Sequence, residues 1–174
     1  MSVVIRTPRV EDADALGRVH VRAWQAAYRE GLMPDEYLAS LSSQERASMW
    51  RDGLANPPRR RVSRFVAVAD DEVVGFSDVG PAGGDDTAEV GELYAINVDP
   101  DHWGTGAGSA LIEAGLGALR DHGFTTAILW VHPDNARACR FYAARGWSDE
   151  QIKRRQDVLG VEVPETQFSI VLTG

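Results

Sequence analysis

Three alternate glycines, Gly104, Gly106 and Gly108, follow a strand-like run that is ended by Pro100. The residues after them have helical spacing, so the glycines open a helix whose first amides have no partner within the helix. Such a helix start attracts anions, because its free N–H groups and the positive end of the helix dipole both face the ligand. Glycine also allows the backbone to approach an anion closely. We therefore predict a phosphate-binding turn formed by the backbone amides from Gly104 to Ser109.

The kind of phosphate ligand is narrowed by the residues that close the turn. A P-loop requires a lysine directly after the glycines, and no lysine follows them here. A dinucleotide fingerprint, G-x-G-x-x-G/A, counted from Gly104 places Ser109 at its last position and fails. A nucleotide-binding α/β protein is therefore disfavoured. On the glycines alone, a tight turn that binds nothing stays open as an alternative.

The elements that must position this turn are indicated by hydrophobic periodicity and turn residues. Helices are expected from about residue 11 towards Gly31, from a capping box at 42–45 to 54, from the glycine turn to about His122, and over 135–145. Strands are expected at 3–6, 64–69, 73–76, 90–98, 125–131, around Trp147 and at 166–172. A meander followed by strand–helix–strand–helix predicts a single α/β domain over residues 1–174, with a mixed sheet and helices on both faces.

Composition limits the class of protein further. The 174 residues carry a formal net charge of −8, which argues against nucleic-acid binding because that requires a basic surface. No apolar run approaches the length of a membrane span, and the first residues lack the pattern of a signal peptide. Cys139 is the only cysteine, which fits a reducing compartment, so we expect a soluble cytoplasmic protein. The histidines have no metal-ligand spacing and predict no metal site: His20, His102, His122 and His132.

Two segments of the chain resemble the motifs of the GNAT superfamily of N-acetyltransferases. Trp103-Gly104-Thr105-Gly106-Ala107-Gly108 is similar to the Q/R-x-x-G-x-G/A motif that binds acetyl-CoA in that family. The segment from Asn135 to Trp147, which includes Phe141-Tyr142, is similar to its second motif, N-x-x-A-x-x-F-Y-x-x-x-G-F/W. The order of the expected elements also matches the family over nearly the whole chain. Trp103 departs from the pattern, since it stands where the family usually has Gln or Arg.

The resemblance implies a GNAT acyltransferase fold, with a mixed, mostly antiparallel sheet of six to seven strands and helices on both faces. It also implies acetyl-CoA as the acyl donor. The residues that would bind it are Ile96, Asn97, Val98, Trp103, Gly104, Thr105, Gly106, Ala107, Gly108, Ser109, Asn135 and Tyr142. Ile96 and Val98 would act through backbone groups, and the loss of a polar side chain at Trp103 would weaken binding, so Trp103→Arg is expected to tighten it modestly.

The same resemblance assigns two catalytic roles. Tyr142 would protonate the leaving thiolate, and Glu92, on the strand that leads into the turn, would act as the base, often through water. Trp24 and Tyr28 lie one turn apart on the first helix and would form one wall of the acceptor cleft, with core packing as the alternative. For Tyr142 the alternative is an aromatic side chain that packs a helix against the sheet, and for Glu92 it is a solvated charge at the end of a strand.

The function that follows is acetyl transfer from acetyl-CoA to a primary amine by direct attack in a ternary complex. The acceptor, a small molecule or a peptide, is not identified by the sequence. The alternative is a non-catalytic regulatory protein of the same fold that binds acetyl-CoA. Glu92, Asn135 and Tyr142 favour the enzyme, whereas Trp103 favours the regulator. Homodimers are common in the family, but nothing in the sequence itself indicates a homodimer here.

Overall fold

A seven-stranded sheet runs through the part of the chain that the computed structural model describes, residues 2–158 and 160–173. In chain order its strands are β1 (Val3–Arg6), β2 (Ser63–Ala69), β3 (Glu72–Pro81), β4 (Gly91–Val98), β5 (Thr126–Val131), β6 (Ser148–Val158) and β7 (Val161–Val171). The helices are α1 (Ala13–Ala27), α2 (Asp35–Ser40), α3 (Ser43–Leu54), α4 (Ala107–Asp121) and α5 (Ala136–Ala143). The strand order is β1-β2-β3-β4-β5-β7-β6. Only β4 and β5 pair in parallel, which confirms the mixed, mostly antiparallel sheet.

Helices cover both faces of the sheet, as expected. Phe76 of β3 packs on one face against α1 and α3, with its ring 4.8 Å from that of Trp50. The next residue, Ser77, points to the opposite face, where its hydroxyl donates to the Leu111 carbonyl of α4 at 3.4 Å. Successive side chains of a strand alternate between faces, so the two contacts place α1 and α4 on opposite sides. No helix in the described ranges combines the length and apolarity needed to cross a bilayer.

The sheet divides between β4 and β5. These strands are paired only at Gly91 with Ala127 and at Glu92 with Ile128, after which they diverge. A bulge accompanies the division: Asp78 of β3 opposes Ala95 and Val79 opposes Leu93, so Tyr94 has no opposing residue. An extra residue of this kind bends and twists its strand. The opening therefore lies at the carboxyl ends of two parallel strands, directly below the glycine turn.

Three strands are longer than the sequence predicts. β3 runs from Glu72 to Pro81, well beyond the expected 73–76, and the last two strands also differ. The expected strand around Trp147 begins only after it, at Ser148, and β7 begins at Val161 rather than at residue 166. The length of β6 is not apparent from the sequence, because nearly all of its side chains are exposed and the strand lacks the apolar alternation of a half-buried one. Trp147 is instead a core residue, 3% exposed. The charged side chains of β6 suit an edge strand, since they oppose pairing with another chain.

Candidate active site

A cavity of about 370 Å³ fills the opening between β4 and β5. Its walls are formed by the diverging parts of these strands, by the glycine turn, and by α1, α5 and β7. The volume is that of an ordinary small-molecule site. Most of the residues predicted for the site line it: Trp24, Tyr28, Ile96, Asn97, Val98, Trp103, Gly104, Gly106, Gly108, Ser109, Asn135 and Tyr142.

At every second residue of β4, the backbone N–H and C=O groups point into this cavity. The Asp99 amide donates to the Val74 carbonyl of β3 at 2.8 Å. Hydrogen-bonding groups alternate between the two sides of a strand, so the backbone groups of Ile96 and Val98 point away from β3, into the opening. The Val98 carbonyl is occupied there, because it accepts a hydrogen bond from Trp103 Nε1 at 2.9 Å. An extended ligand therefore has the N–H and C=O of Ile96 and the N–H of Val98 to pair with.

The glycine turn has the geometry of an anion site. Gly104 and Gly106 have φ angles of 76° and 94°, in the left-handed region that favours glycine. A Cβ atom built on either glycine would meet no atom within 4 Å, so the turn is open on that side. Gly106 is the N-cap of α4 and has no side chain to satisfy its amides. The Ala110 amide, bonded to the Gly106 carbonyl at 3.0 Å, belongs to the helix ladder, and the amides before it are left for a ligand.

Two residues of the predicted phosphate set do not line the cavity. Thr105 Oγ1 donates to the His102 carbonyl at 2.6 Å, within the turn. Ala107 is fully buried against the side of the sheet that α4 covers. The side chains of both residues are used to hold the turn, so only their backbone amides remain as candidates for contact with phosphate.

Trp103 makes two contacts of its own. Besides the hydrogen bond from Nε1, its ring carries the guanidinium of Arg137 on α5, 3.4 Å from the ring centroid. Arg137 lines the cavity, and burial lowers its pKa. Within residues 2–158 and 160–173, none of the ion pairs involves Arg137. This exposed cation beside free amides reinforces the attraction of the turn for an anion.

Because of these contacts, we expect Trp103→Arg to weaken CoA binding rather than to tighten it. The variant loses the bond to the Val98 carbonyl and places a second positive charge beside Arg137, so CoA affinity should fall about three- to tenfold. Calorimetry on Trp103→Ala, Arg137→Ala and the double variant should give a coupling energy of about 1 kcal/mol. Trp103→Phe, which keeps an aromatic face for Arg137, should lose less affinity than Trp103→Ala. Additive losses, or tighter binding by Trp103→Arg, would show that the pair does not act as a unit.

The second motif contributes α5 and its flanks. Asn135 is the N-cap of α5, where its side-chain oxygen accepts the Ala138 amide at 3.2 Å. Arg145 donates to the Ser109 hydroxyl and to the Phe141 carbonyl, and it also lines the cavity. Sequence reasoning assigned no role to Arg137 or Arg145. Both lie within the second motif, but only the fold shows that they reach the turn.

Tyr142 belongs to the hydrophobic core and also lines the cavity. Its ring is 9% exposed and packs between Trp147 and Phe168, with centroid distances of 6.1 and 6.2 Å. Burial raises the pKa of its hydroxyl above the usual range for tyrosine. The raised pKa favours the protonated phenol, which is the form that a proton donor requires.

The predicted base, Glu92, lies beside the cavity without lining it. Its side chain is 9% exposed, and Oε1 accepts the Gly83 amide at 2.8 Å. Burial raises its pKa, and the negative charge of Glu165 adds to that shift, whereas the Gly83 amide and Arg154 oppose it. Glu165 of β7 does line the cavity, and sequence reasoning missed it, because nothing in the local pattern distinguishes it from other charged residues of the last strands.

Trp24 and Tyr28 line the cavity and also pack against the hydrophobic core. Their ring centroids are 4.9 Å apart, and both line the cavity while packing against Leu38 and Val163. Burial raises the pKa of Tyr28 to about 12. His20, one turn before Trp24, also lines the cavity, and burial lowers its pKa to about 4, so it is neutral at pH 7. The sequence gives no sign that His20 belongs to the site, and its position on the cavity wall is seen only in the structure.

The features of the cavity fit acetyl-CoA. The open glycine turn with its free amides suits a pyrophosphate, and the unpaired backbone of β4 suits an extended amide-containing arm. The arm would lead towards Tyr142 and the aromatic wall of α1, where a thioester would meet an acceptor. A split sheet below an anion-binding turn is thus an arrangement that suits an acyl-CoA ligand.

Comparison with known proteins identifies the family. Residues 21–147 match the model of the Acetyltransferase (GNAT) family. An uncharacterized N-acetyltransferase, YuaI, of Bacillus subtilis is 33% identical over 167 residues, which cover 94% of this chain and 90% of the relative. The mycothiol acetyltransferase of Rhodococcus jostii is 34% identical over 140 residues, which cover 79% of this chain but 43% of that enzyme. The crystal structure of PaiA N-acetyltransferase from Thermoplasma acidophilum in complex with coenzyme A superposes with a TM-score of 0.74 at 21% identity, covering 98% of this chain and 99% of that one.

The chain belongs to the acetyltransferase (GNAT) family. It is thus an acyltransferase by family, and the expected GNAT fold is confirmed by the structural likeness. The chain spans less than half the length of the Rhodococcus jostii mycothiol acetyltransferase.

Proposed function

We propose that this protein transfers the acetyl group of acetyl-CoA to a primary amine by direct attack in a ternary complex. The observation that carries the proposal is that one cavity contains both halves of the required site. The anion-binding turn, Tyr142 and the aromatic pair of α1 all line it. A cavity that holds both substrates supports direct attack, because no covalent enzyme intermediate is then needed to bring their reacting atoms together.

Acetyl-CoA supplies an acyl group activated as a thioester. In the proposed reaction a C–N bond forms between the amine and the acetyl carbon, and the C–S bond breaks. The amine nitrogen loses a proton to a base, and the departing sulfur gains one from Tyr142 Oη. The N–H groups of Ile96 and Val98 face the opening and are the donors available to a carbonyl oxygen of the donor.

Glu92 is the proposed base, acting through water. It lies next to the cavity without lining it, and its raised pKa makes it a better proton acceptor than an exposed glutamate. A lysine-like amine has a pKa of ~10.4 and is almost entirely protonated at pH 7. The chain must therefore remove a proton before the nitrogen attacks.

Glu92→Gln should slow transfer at pH 7 by about 100-fold, because the base is lost while the shape of the side chain is kept. The defect should shrink towards pH 10, where the amine is largely neutral and needs no base. The measurement is the ratio of wild-type to variant kcat/KM from pH 6.5 to 10. Glu89→Gln, an exposed glutamate in the loop before β4, is the matched control and should match the wild type throughout. A ratio that stays constant with pH would remove Glu92 from the role of base.

A non-catalytic protein that binds acetyl-CoA remains the alternative of a different class. The two functions differ in amine-dependent release of free CoA, followed with a thiol reagent against a panel of primary amines. Because some relatives are named mycothiol acetyltransferases, an amine precursor of mycothiol belongs in that panel beside simple alkylamines. The enzyme releases CoA continuously with its acceptor, whereas a regulatory protein binds acetyl-CoA without release.

A further inference from the structure

We propose that the carboxylate of Glu165 binds the ammonium group of the acceptor, so that the acceptors are cationic amines on an apolar or aromatic body rather than α-amino acids. The inference rests on the proposed function, because it assigns the acceptor half of the same cavity. It is carried by the position of Glu165, by the distribution of charge in the cavity and by the aromatic surfaces around it.

Glu165 is placed on β7 with one oxygen held and the other free. Arg154 of β6 donates from Nε to Oε1 at 2.9 Å, which fixes the orientation of the carboxylate. Oε2 has no hydrogen-bond donor among the residues that the structure describes. The side chain is 16% exposed and lines the cavity, so the accessible oxygen is available to a ligand there. A largely buried carboxylate with one unmet oxygen is suited to an ammonium group.

The acidic and basic residues that line the cavity are unevenly distributed. Glu165 is the only acidic residue that lines it within the described ranges, and the arginines that line it are Arg137 and Arg145. Both arginines flank the glycine turn, where Arg137 stacks on Trp103 and Arg145 bonds Ser109. A polyanionic donor is therefore drawn to one part of the cavity and a cationic acceptor to another. The net charge of −8 favours the approach of cations to the protein as a whole.

Aromatic and aliphatic side chains share the cavity with the carboxylate, and one face of Trp130 is covered there by the guanidinium of Arg154. Trp24, Tyr28, Trp130 and Val163 line the same cavity. Tyr28 lies close enough to Glu165 that the negative charge adds to the burial that raises the pKa of Tyr28. Aromatic faces stabilise a bound cation and cover an apolar body. An amine with a carboxylate on the adjacent carbon would instead bring a second anion next to Glu165, and Arg154, the arginine beside Glu165, is already paired.

The test compares binding of 2-phenylethylamine and phenylalanine, which differ by one carboxylate. Binding to the CoA-saturated protein is followed by calorimetry, which does not depend on turnover. Glu165→Gln should weaken binding of 2-phenylethylamine by at least about tenfold. Glu162→Gln is the matched control, because Glu162 lies on the same strand, faces Arg155 at 4.0 Å and is 72% exposed. It should bind the amine as the wild type does.

Arg154→Gln separates ligand binding from structural support. If Glu165 binds the amine, removal of its arginine partner leaves more negative charge for the ligand, and affinity for 2-phenylethylamine should hold or rise. If the ion pair only supports the hairpin, Arg154→Gln and Glu165→Gln should lose affinity alike, which would overturn the proposal. Binding of phenylalanine as tight as that of 2-phenylethylamine, or no binding of either, would also overturn it.

Failure of this inference is distinguishable from failure of the proposed function. Glu165-dependent binding of 2-phenylethylamine without acetyl transfer would support the inference and contradict the function. Transfer to phenylalanine in preference to 2-phenylethylamine, unaffected by Glu165→Gln, would support the function and contradict the inference.

Discussion

Tyr142→Phe should slow acetyl transfer by about 100-fold while leaving the fold intact. The variant keeps the ring that packs between Trp147 and Phe168 and removes only the hydroxyl. Acetyl-CoA affinity should change by less than about threefold, because the proton is needed chiefly as the C–S bond breaks. Single-turnover rates, CoA affinity and the melting temperature are the three measurements.

The pH profile separates this defect from that of Glu92→Gln. The raised pKa of Tyr142 keeps the wild-type phenol protonated in alkali, so its loss should be equally costly at pH 7 and pH 10. Tyr37→Phe removes a hydroxyl outside the cavity, one that donates only to the Val158 carbonyl at 3.5 Å, and should retain full activity. If Tyr142→Phe works at the wild-type rate, another group protonates the thiolate and Tyr142 is a core residue.

Gly106→Val should weaken acetyl-CoA binding by at least about tenfold, or ~1.4 kcal/mol. The space beside Gly106 is open on the cavity side, and a valine there would occupy the volume that the phosphates need. The φ angle of 94° adds backbone strain for any residue with a Cβ atom, so stability is expected to fall as well. Binding is measured by calorimetry at a temperature at which the variant is fully folded.

Gly123, just beyond the other end of the same helix, provides a matched control for the backbone strain that Gly106→Val introduces. Gly123 has a φ angle of 90°, its Cβ position is equally open, and it does not line the cavity. Gly123→Val should therefore show a similar loss of stability with unchanged CoA affinity. Unchanged affinity in folded Gly106→Val would contradict the placement of the phosphates at this turn.

Local rules were sufficient to predict the two motif regions. The strand, the positive-φ glycines and the first turn of α4 follow from short-range preferences, and they are found where the sequence indicates them. The same holds for Asn135 at the start of α5, since an N-cap depends on residues three apart. Periodicity also located the central strands, because their alternate faces pack against different helices.

The remaining features depend on contacts between distant parts of the chain. Nothing in the sequence of β4 shows that it leaves β5 after Glu92, because strand pairing is not encoded by one strand alone. The role of Trp103 as a platform needs Arg137, which lies on a different helix. Glu165 enters the cavity only because β7 inserts between β5 and β6. Each of these residues is ordinary in its local sequence and distinctive only in its surroundings.

Amine-dependent release of CoA, with identification of the product by mass spectrometry, tests the account most directly. The protein is incubated with acetyl-CoA and 2-phenylethylamine, cadaverine or other primary amines, and free thiol is followed with time. We predict continuous release of CoA matched by formation of the N-acetylated amine, and about 100-fold slower release by Tyr142→Phe. Tight binding of acetyl-CoA with no amine-dependent release for any acceptor would contradict it, and would leave a protein of this fold that binds the donor without using it.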